Sequence, residues 1–179
     1  MSSHYTLPFT QTSISIFLLL LSNSIPYSAA AGRPEKTTRL HFYFQDEVSG
    51  KNATAVQITG KGLGFGATFA VDNALTERPE LNSDIVGRAQ GMYSNTARND
   101  SALLMAVTFV FTSGKYDGSS VSMLGRNRVF DRVREMPIVG GSGAFRMARG
   151  YALASTAWFD PETGNACVEY NVTVEHFDV

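Results

Sequence analysis

An all-β antiparallel fold, a barrel or a sandwich, is what this sequence predicts. Three observations carry the prediction. Apolar and β-branched residues recur at every second position in many short segments. Glycine- and aspartate-containing turns separate those segments. No long stretch has the 3.6-residue apolar period of an amphipathic helix. A closed barrel is the better match to a small domain without staples, because closure removes the unpaired edges of an open sheet.

Residues 1–31 precede the first element and carry no Asp, Glu, Lys or Arg. Their apolar run around Ile16 to Leu21 is followed by small residues, Ser28 to Ala31, in an Ala-x-Ala pattern. This reads as a secretory signal peptide over 1–31, although its start has only His4 and the α-amine for positive charge. The run is well short of the roughly 20 residues of a membrane span. Cleavage leaves a single domain, 32–179, of about 148 residues, enough for a proper core.

The first strand is expected over 39–48, with Leu40, Phe42, Phe44 and Asp46 on one face and His41, Tyr43 and Gln45 on the other. Further strands fit 55–59, 67–71 and 85–94. The run LLMAVTFVF over 103–111 reads as a strand with little polar relief on either face. Others follow at 119–125, 137–139 and 149–159. The last segment alternates most cleanly, with Ala166, Val168, Tyr170, Val172, Val174 and His176 sharing one face. The stretch Gly60, Gly62, Gly64, Gly66 lacks the Lys-Ser/Thr of a phosphate loop and has no following helix, so it reads as a tight hairpin.

Composition narrows the function. The net charge is −1, which gives no basic field for nucleic acid and no charge asymmetry for a membrane surface. Cys167 is the sole cysteine, so no internal disulfide forms. With three histidines, one of them in the leader, no metal or haem ligand set is apparent and no cofactor is expected. Export makes the three Asn-x-Ser/Thr triplets at Asn52, Asn99 and Asn171 candidate glycosylation sites. The last of them lies in a strand, where a glycan requires the outer face.

Several blocks, in order, resemble the signatures of plant dirigent proteins: FYFQD (42–46), GRAQGMY (87–93), KYDGS (115–119), REMPIVGG (134–141) and FRMARGY (145–151). The resemblance covers essentially 39–177. It implies an eight-stranded antiparallel β-barrel, allene-oxide-cyclase-like, with an apolar pocket. It also implies a homotrimer secreted to the apoplast or cell wall. Members of this family lack oxidase activity. An external laccase or peroxidase makes phenoxy radicals from a monolignol, and the barrel fixes the stereochemistry of their coupling in lignan biosynthesis. Some relatives instead form a quinone methide from an isoflavanol and close it to a pterocarpan. A defence-related wall protein is the blander alternative.

The resemblance also suggests site residues. Asp46 matches the aspartate that serves the quinone-methide step, with Gln45 where a histidine is usual. A carboxyl in an apolar cavity has its pKa raised and suits general acid or base work. Arg134 matches the arginine ahead of the Met-Pro block, where a guanidinium either holds a phenolate oxygen or pairs with Asp46. Tyr93 matches a pocket tyrosine and Thr156 a pocket threonine. Asn127 stands where pinoresinol-forming members carry an aspartate, and Ala144 replaces a further acidic residue. Asparagine cannot shuttle a proton, so the expected product shifts towards the non-pinoresinol branch.

Overall fold

The computed structural model describes residues 35–177, and the expected leader lies outside the described residues. Nine strands occur among the described residues: β1 (Glu35–Asp46), β2 (Ala55–Thr59), β3 (Thr68–Thr76), β4 (Ile85–Asn95), β5 (Ala102–Phe111), β6 (Ser120–Arg128), β7 (Arg134–Ser142), β8 (Arg149–Phe159) and β9 (Ala166–Phe177). They pair antiparallel in the order β1-β9-β8-β7-β6-β5-β4-β3. β3 then returns to β1, with Tyr43 opposite Thr76 and Gln45 opposite Ala74, and this pairing closes the barrel. The rest of the β3 edge is taken by β2, with Ala55 opposite Val71, so β1 and β2 share one of eight staves. The expected eight-stranded antiparallel barrel is therefore the fold.

The alternation read from the sequence sets the two faces. Phe42 and Phe44 on β1, Val107 and Phe109 on β5, and Tyr170, Val172 and Val174 on β9 are all buried. One half of the barrel is plugged by aromatic rings. Phe42 meets Phe109 edge-on with centroids 4.9 Å apart and stacks on Tyr170 at 5.9 Å. Below them Phe111, Tyr116 and Phe145 fill the closed end. Burying a phenylalanine side chain stabilises by about 1.5–3 kcal/mol, so this plug is a large part of what replaces a disulfide. Tyr116 and Phe145 sit on single-turn 3-10 segments, Gly114–Tyr116 and Gly143–Phe145, that cap the closed end.

Two glycines show what close contact requires. Gly150 on β8 has φ +150°, and a Cβ there would stand 2.0 Å from the Thr173 carbonyl oxygen of β9, so the strands pack together only because no side chain intervenes. Gly60 has φ +77°, and its Cβ would meet the Ala67 Cα at 2.7 Å. The glycine-rich stretch is thus the closely approached β2–β3 hairpin loop that its failed phosphate-loop pattern implies.

β7 is longer than its sequence suggested, Arg134–Ser142 rather than 137–139. Its ladder to β6 runs from Ser120–Ser142 to Met123–Ile138 and no further towards the open end. Pro137 has no N–H to donate beyond that point, so the β6–β7 wall there relies on side chains. Asn52, Asn99 and Asn171 are all exposed, and Asn171 points outward from β9 as its place in the alternation requires.

Candidate active site

Above the aromatic plug the open half of the barrel holds a cavity of about 540 Å³. Its walls are mostly apolar, with Phe44, Phe69, Met105, Val168 and Tyr170 among them. Asp46, Tyr93, Asn127, Arg134 and Thr156, the five side chains singled out from the sequence, all line it. They divide into two groups. One stands on β1 and β4, which flank β3, the other on β6, β7 and β8, with β9 and β5 between them on either side.

The first group is built around Asp46, the last residue of β1. Its Oδ1 accepts from Asn73 Nδ2 at 2.9 Å, and its Oδ2 accepts from the Tyr93 hydroxyl at 3.1 Å. Asn73 takes the inward place in the alternation Phe69, Val71, Asn73, Leu75 on β3 and is fully buried. The β1–β3 closure sets Ala74 opposite Gln45, and this brings Asn73 to the carboxyl. Tyr93 is fixed by stacking on Phe69, centroids 5.2 Å apart. Burial pushes the Asp46 carboxyl up to about 6, and the hydrogen bonds from Asn73 and Tyr93 hold it from going higher. Burial also raises the Tyr93 phenol, helped by the Asp46 charge, so Tyr93 is a donor and not a base.

The second group centres on Arg134, which is only 4% exposed. Its Nε donates to Asn127 Oδ1 at 3.1 Å, and its Nη1 donates to Thr156 Oγ1 at 3.0 Å and to the Asp131 carbonyl at 3.4 Å. The Arg134–Asn127 bond joins β7 to β6 where their backbone ladder has stopped. Arg134 makes no ion pair with Asp46, so of the two expected roles the pairing is ruled out: the two residues stand on opposite walls. Burial lowers the Arg134 pKa, opposed by Tyr170 and Asp131, and a guanidinium stays charged at neutral pH. A register shift between Thr156 and Trp158 lets Thr156 and Phe159 both face the cavity while Trp158 turns out to donate to the Pro79 carbonyl at 3.4 Å.

Other residues fall away from the cavity. Gln45 is buried on the outer side, where it donates to Thr76 Oγ1 at 2.9 Å and to the Pro79 carbonyl. Ala144 lies in the 3-10 turn at the closed end, its N–H bonded to Ser119 Oγ, so its identity does not touch the cavity chemistry within one chain. His41 meets Glu169 on the outside at 2.9 Å, and His176 bonds Thr38 Oγ1 at 2.9 Å. Cys167 is buried, and its thiol is pushed up to about 11 by that burial. No cluster of metal-ligating side chains occurs among the described residues.

Sequence reasoning had not picked out Asn73, Asp131 or Tyr170 as site residues. The signal for Asn73 and Tyr170 was present, since both occupy inward places in clean alternations. Asp131, in the β6–β7 loop, had none.

The chain matches the family described as dirigent-like proteins over residues 37–175. The chain belongs to the dirigent family. This dirigent barrel is 53% identical to dirigent protein 23 of Arabidopsis thaliana over 148 residues, covering 79% of each chain. It is 46% identical to pterocarpan synthase 1 of Glycine max over 152 residues, covering 81% of this chain and 82% of that one. Among solved structures it is similar to a pterocarpan synthase dirigent protein, with TM-score 0.79, 43% identity, and 83% of this chain and 89% of that chain covered.

Proposed function

We propose that this dirigent protein forms and closes a quinone methide, moving one proton at Asp46 while Arg134 holds a phenolic oxygen across the cavity. The carrying observation is the asymmetry of the two polar groups. One wall has a carboxyl raised to about 6, and the facing wall has a buried cation with Asn127, which cannot titrate, beside it. A substrate with a benzylic hydroxyl and a phenol on the same ring, such as an isoflavanol, fits that arrangement. Protonated Asp46 gives its proton to the hydroxyl, the carbon–oxygen bond breaks and water leaves. The phenol that supplies the electrons gives up its proton to solvent water, which later returns one, and becomes the carbonyl of the quinone methide. A second phenol then adds to the benzylic carbon, its proton passes to the Asp46 carboxylate, and the first phenol regains a proton. The balance is the loss of one water, with no oxidant.

Stereocontrol over the coupling of monolignol radicals from an external laccase or peroxidase is the second reading. It is supported by the likeness to proteins named dirigent proteins and by the apolar cavity. Coupling two like radicals asks the site to treat two like intermediates, and a single acid facing a cation supports that less well. Incubating the purified protein with an isoflavanol and no oxidant separates the two. Formation of one pterocarpan enantiomer, read by chiral chromatography, is expected; no turnover would sink the cyclase reading for that substrate.

We also propose that the protein is exported, glycosylated and trimeric. The charge-free leader, the exposed Asn52, Asn99 and Asn171, and the exposed apolar Met92, Leu104 and Leu124 on the adjoining β4, β5 and β6 support this. Light scattering on protein recovered from the culture medium should give a trimer mass that drops on deglycosylation. A monomer mass, or no change, would count against the proposal.

A further inference from the structure

Tyr170 has no role in the proton path described above, yet its placement is unusual. The ring is 1% exposed and clamped between Phe42, stacked at 5.9 Å, and Phe109, edge-on at 5.2 Å, with Phe44 at 6.0 Å. That clamp fixes the ring at the boundary of plug and cavity. No hydrogen-bonding group among the described residues meets its hydroxyl. The hydroxyl is not one of the sealed, unpartnered atoms, so it opens onto the cavity, and a polar group there that meets no protein partner is free to bond what enters. Asn73 Oδ1 is sealed in and unpartnered, whereas Tyr170 lines the cavity and can be completed by what enters it. Its surroundings say what that is. Tyr170 stands opposite Phe42 of β1 on one side and Ala154 of β8 on the other, and Ala154 stands opposite Arg134 of β7, so Tyr170 sits on the strand between the Asp46 wall and the Arg134 wall.

We propose that the Tyr170 hydroxyl and the Arg134 guanidinium together form a binding site for a phenolic oxygen at the cavity floor, with Tyr170 donating its proton to that oxygen. A phenolate or quinone-methide oxygen is the ligand class, since the guanidinium can only donate and the tyrosine hydroxyl can turn its proton to the same acceptor. A ring bound this way lies over an aromatic floor and keeps its benzylic carbon between the walls, within the span that Asp46 serves. The inference deepens the quinone-methide reading by assigning the oxygen end of the substrate, and it rests on that reading for the identity of the natural ligand. The site itself is a property of the cavity and does not require turnover.

The test uses 4-nitrophenol on the whole protein, with the bound phenol titrated by its absorbance. The native protein should bind it with an apparent pKa below that in water, because two donors favour the phenolate. Tyr170→Phe keeps the clamp and removes only the hydroxyl. It should raise the bound pKa by up to about one unit, a tenfold change at most, and weaken phenolate binding about three- to tenfold. The affinity for 4-nitroanisole, which has the same ring and no ionisable oxygen, should stay within about twofold, the spread expected when packing is unchanged. An unshifted pKa in the native protein, no binding of 4-nitrophenol, or equal loss of both ligands in the variant would each overturn the proposal. Failure of isoflavanol turnover with the nitrophenol result intact would remove the cyclase reading and leave this site standing.

Discussion

Asp46→Asn is expected to lose activity and gain stability, and the two effects should respond oppositely to pH. As a general acid the carboxyl contributes about 10²–10⁴ in rate, so the variant should fall by that factor in kcat with folding intact. In the native protein kcat should decline as pH rises through about 6, because the protonated form is the donor. Stability follows from the same shift. The folded carboxyl has its pKa raised from 3.8 to about 6, so between those values the folded state binds more protons than the unfolded chain. Native stability therefore falls as pH rises through that window, by on the order of 2–3 kcal/mol in all. Asparagine is never charged, and its amide offers Asn73 Oδ1 the donor it lacks. Above pH 7 the variant should melt about 5–8 °C higher than the native protein, and at pH 4 the difference should vanish. A thermal scan at both pH values checks this. Equal melting at pH 7.5 would show that the carboxyl is not desolvated, and unchanged turnover would show that it is not the acid.

That carboxyl shows how far the sequence reached. Its apolar face, Leu40, Phe42, Phe44, was legible because strand periodicity is local, and the barrel wall bears it out. The same periodicity located the other strands, although β3, expected over 67–71, runs on to Thr76 because the inward Asn73 breaks its apolar series. It under-read β7, since the inward series there is Arg134, Met136, Ile138, and an arginine at an inward position looks like the end of a strand. What local pattern cannot supply is the contact made by closure. Asn73 reads as one polar residue in an apolar alternation until the β3 edge meets β1 and places it 2.9 Å from the carboxyl. Tyr170 reads as packing until the cavity is seen to end on it. Ala144, aligned with an acidic position by resemblance alone, sits in the closed-end turn and does not line the cavity. Gln45 next to Asp46 similarly faces the other way, because adjacent strand residues alternate sides.

Arg134→Met should lower kcat/KM about 10²–10³-fold, the loss seen when one preorganised donor to a developing oxyanion is removed. The loss should fall mainly in kcat, since the oxygen gains charge as the quinone methide forms and the guanidinium bonds that state most strongly. Stability should change little for a buried site, because two consequences oppose each other. Removing a desolvated cation whose described partners, Asn127, Thr156 and the Asp131 carbonyl, are all neutral is favourable. Leaving Asn127 Oδ1 and Thr156 without their donor, across a wall whose ladder stops at Ile138, is unfavourable. Arg134→Lys separates charge from geometry. An ammonium retains the positive field, but it is a point donor and cannot bridge Asn127 and Thr156 as the fork does. The lysine variant should therefore recover only part of the rate. Full recovery would mean that charge alone does the work, and a loss confined to KM would mean that Arg134 grips the substrate equally before and during reaction. The second result would move the seat of catalysis from the facing walls to Asp46 by itself, and the first would leave both walls in place with the fork geometry dispensable.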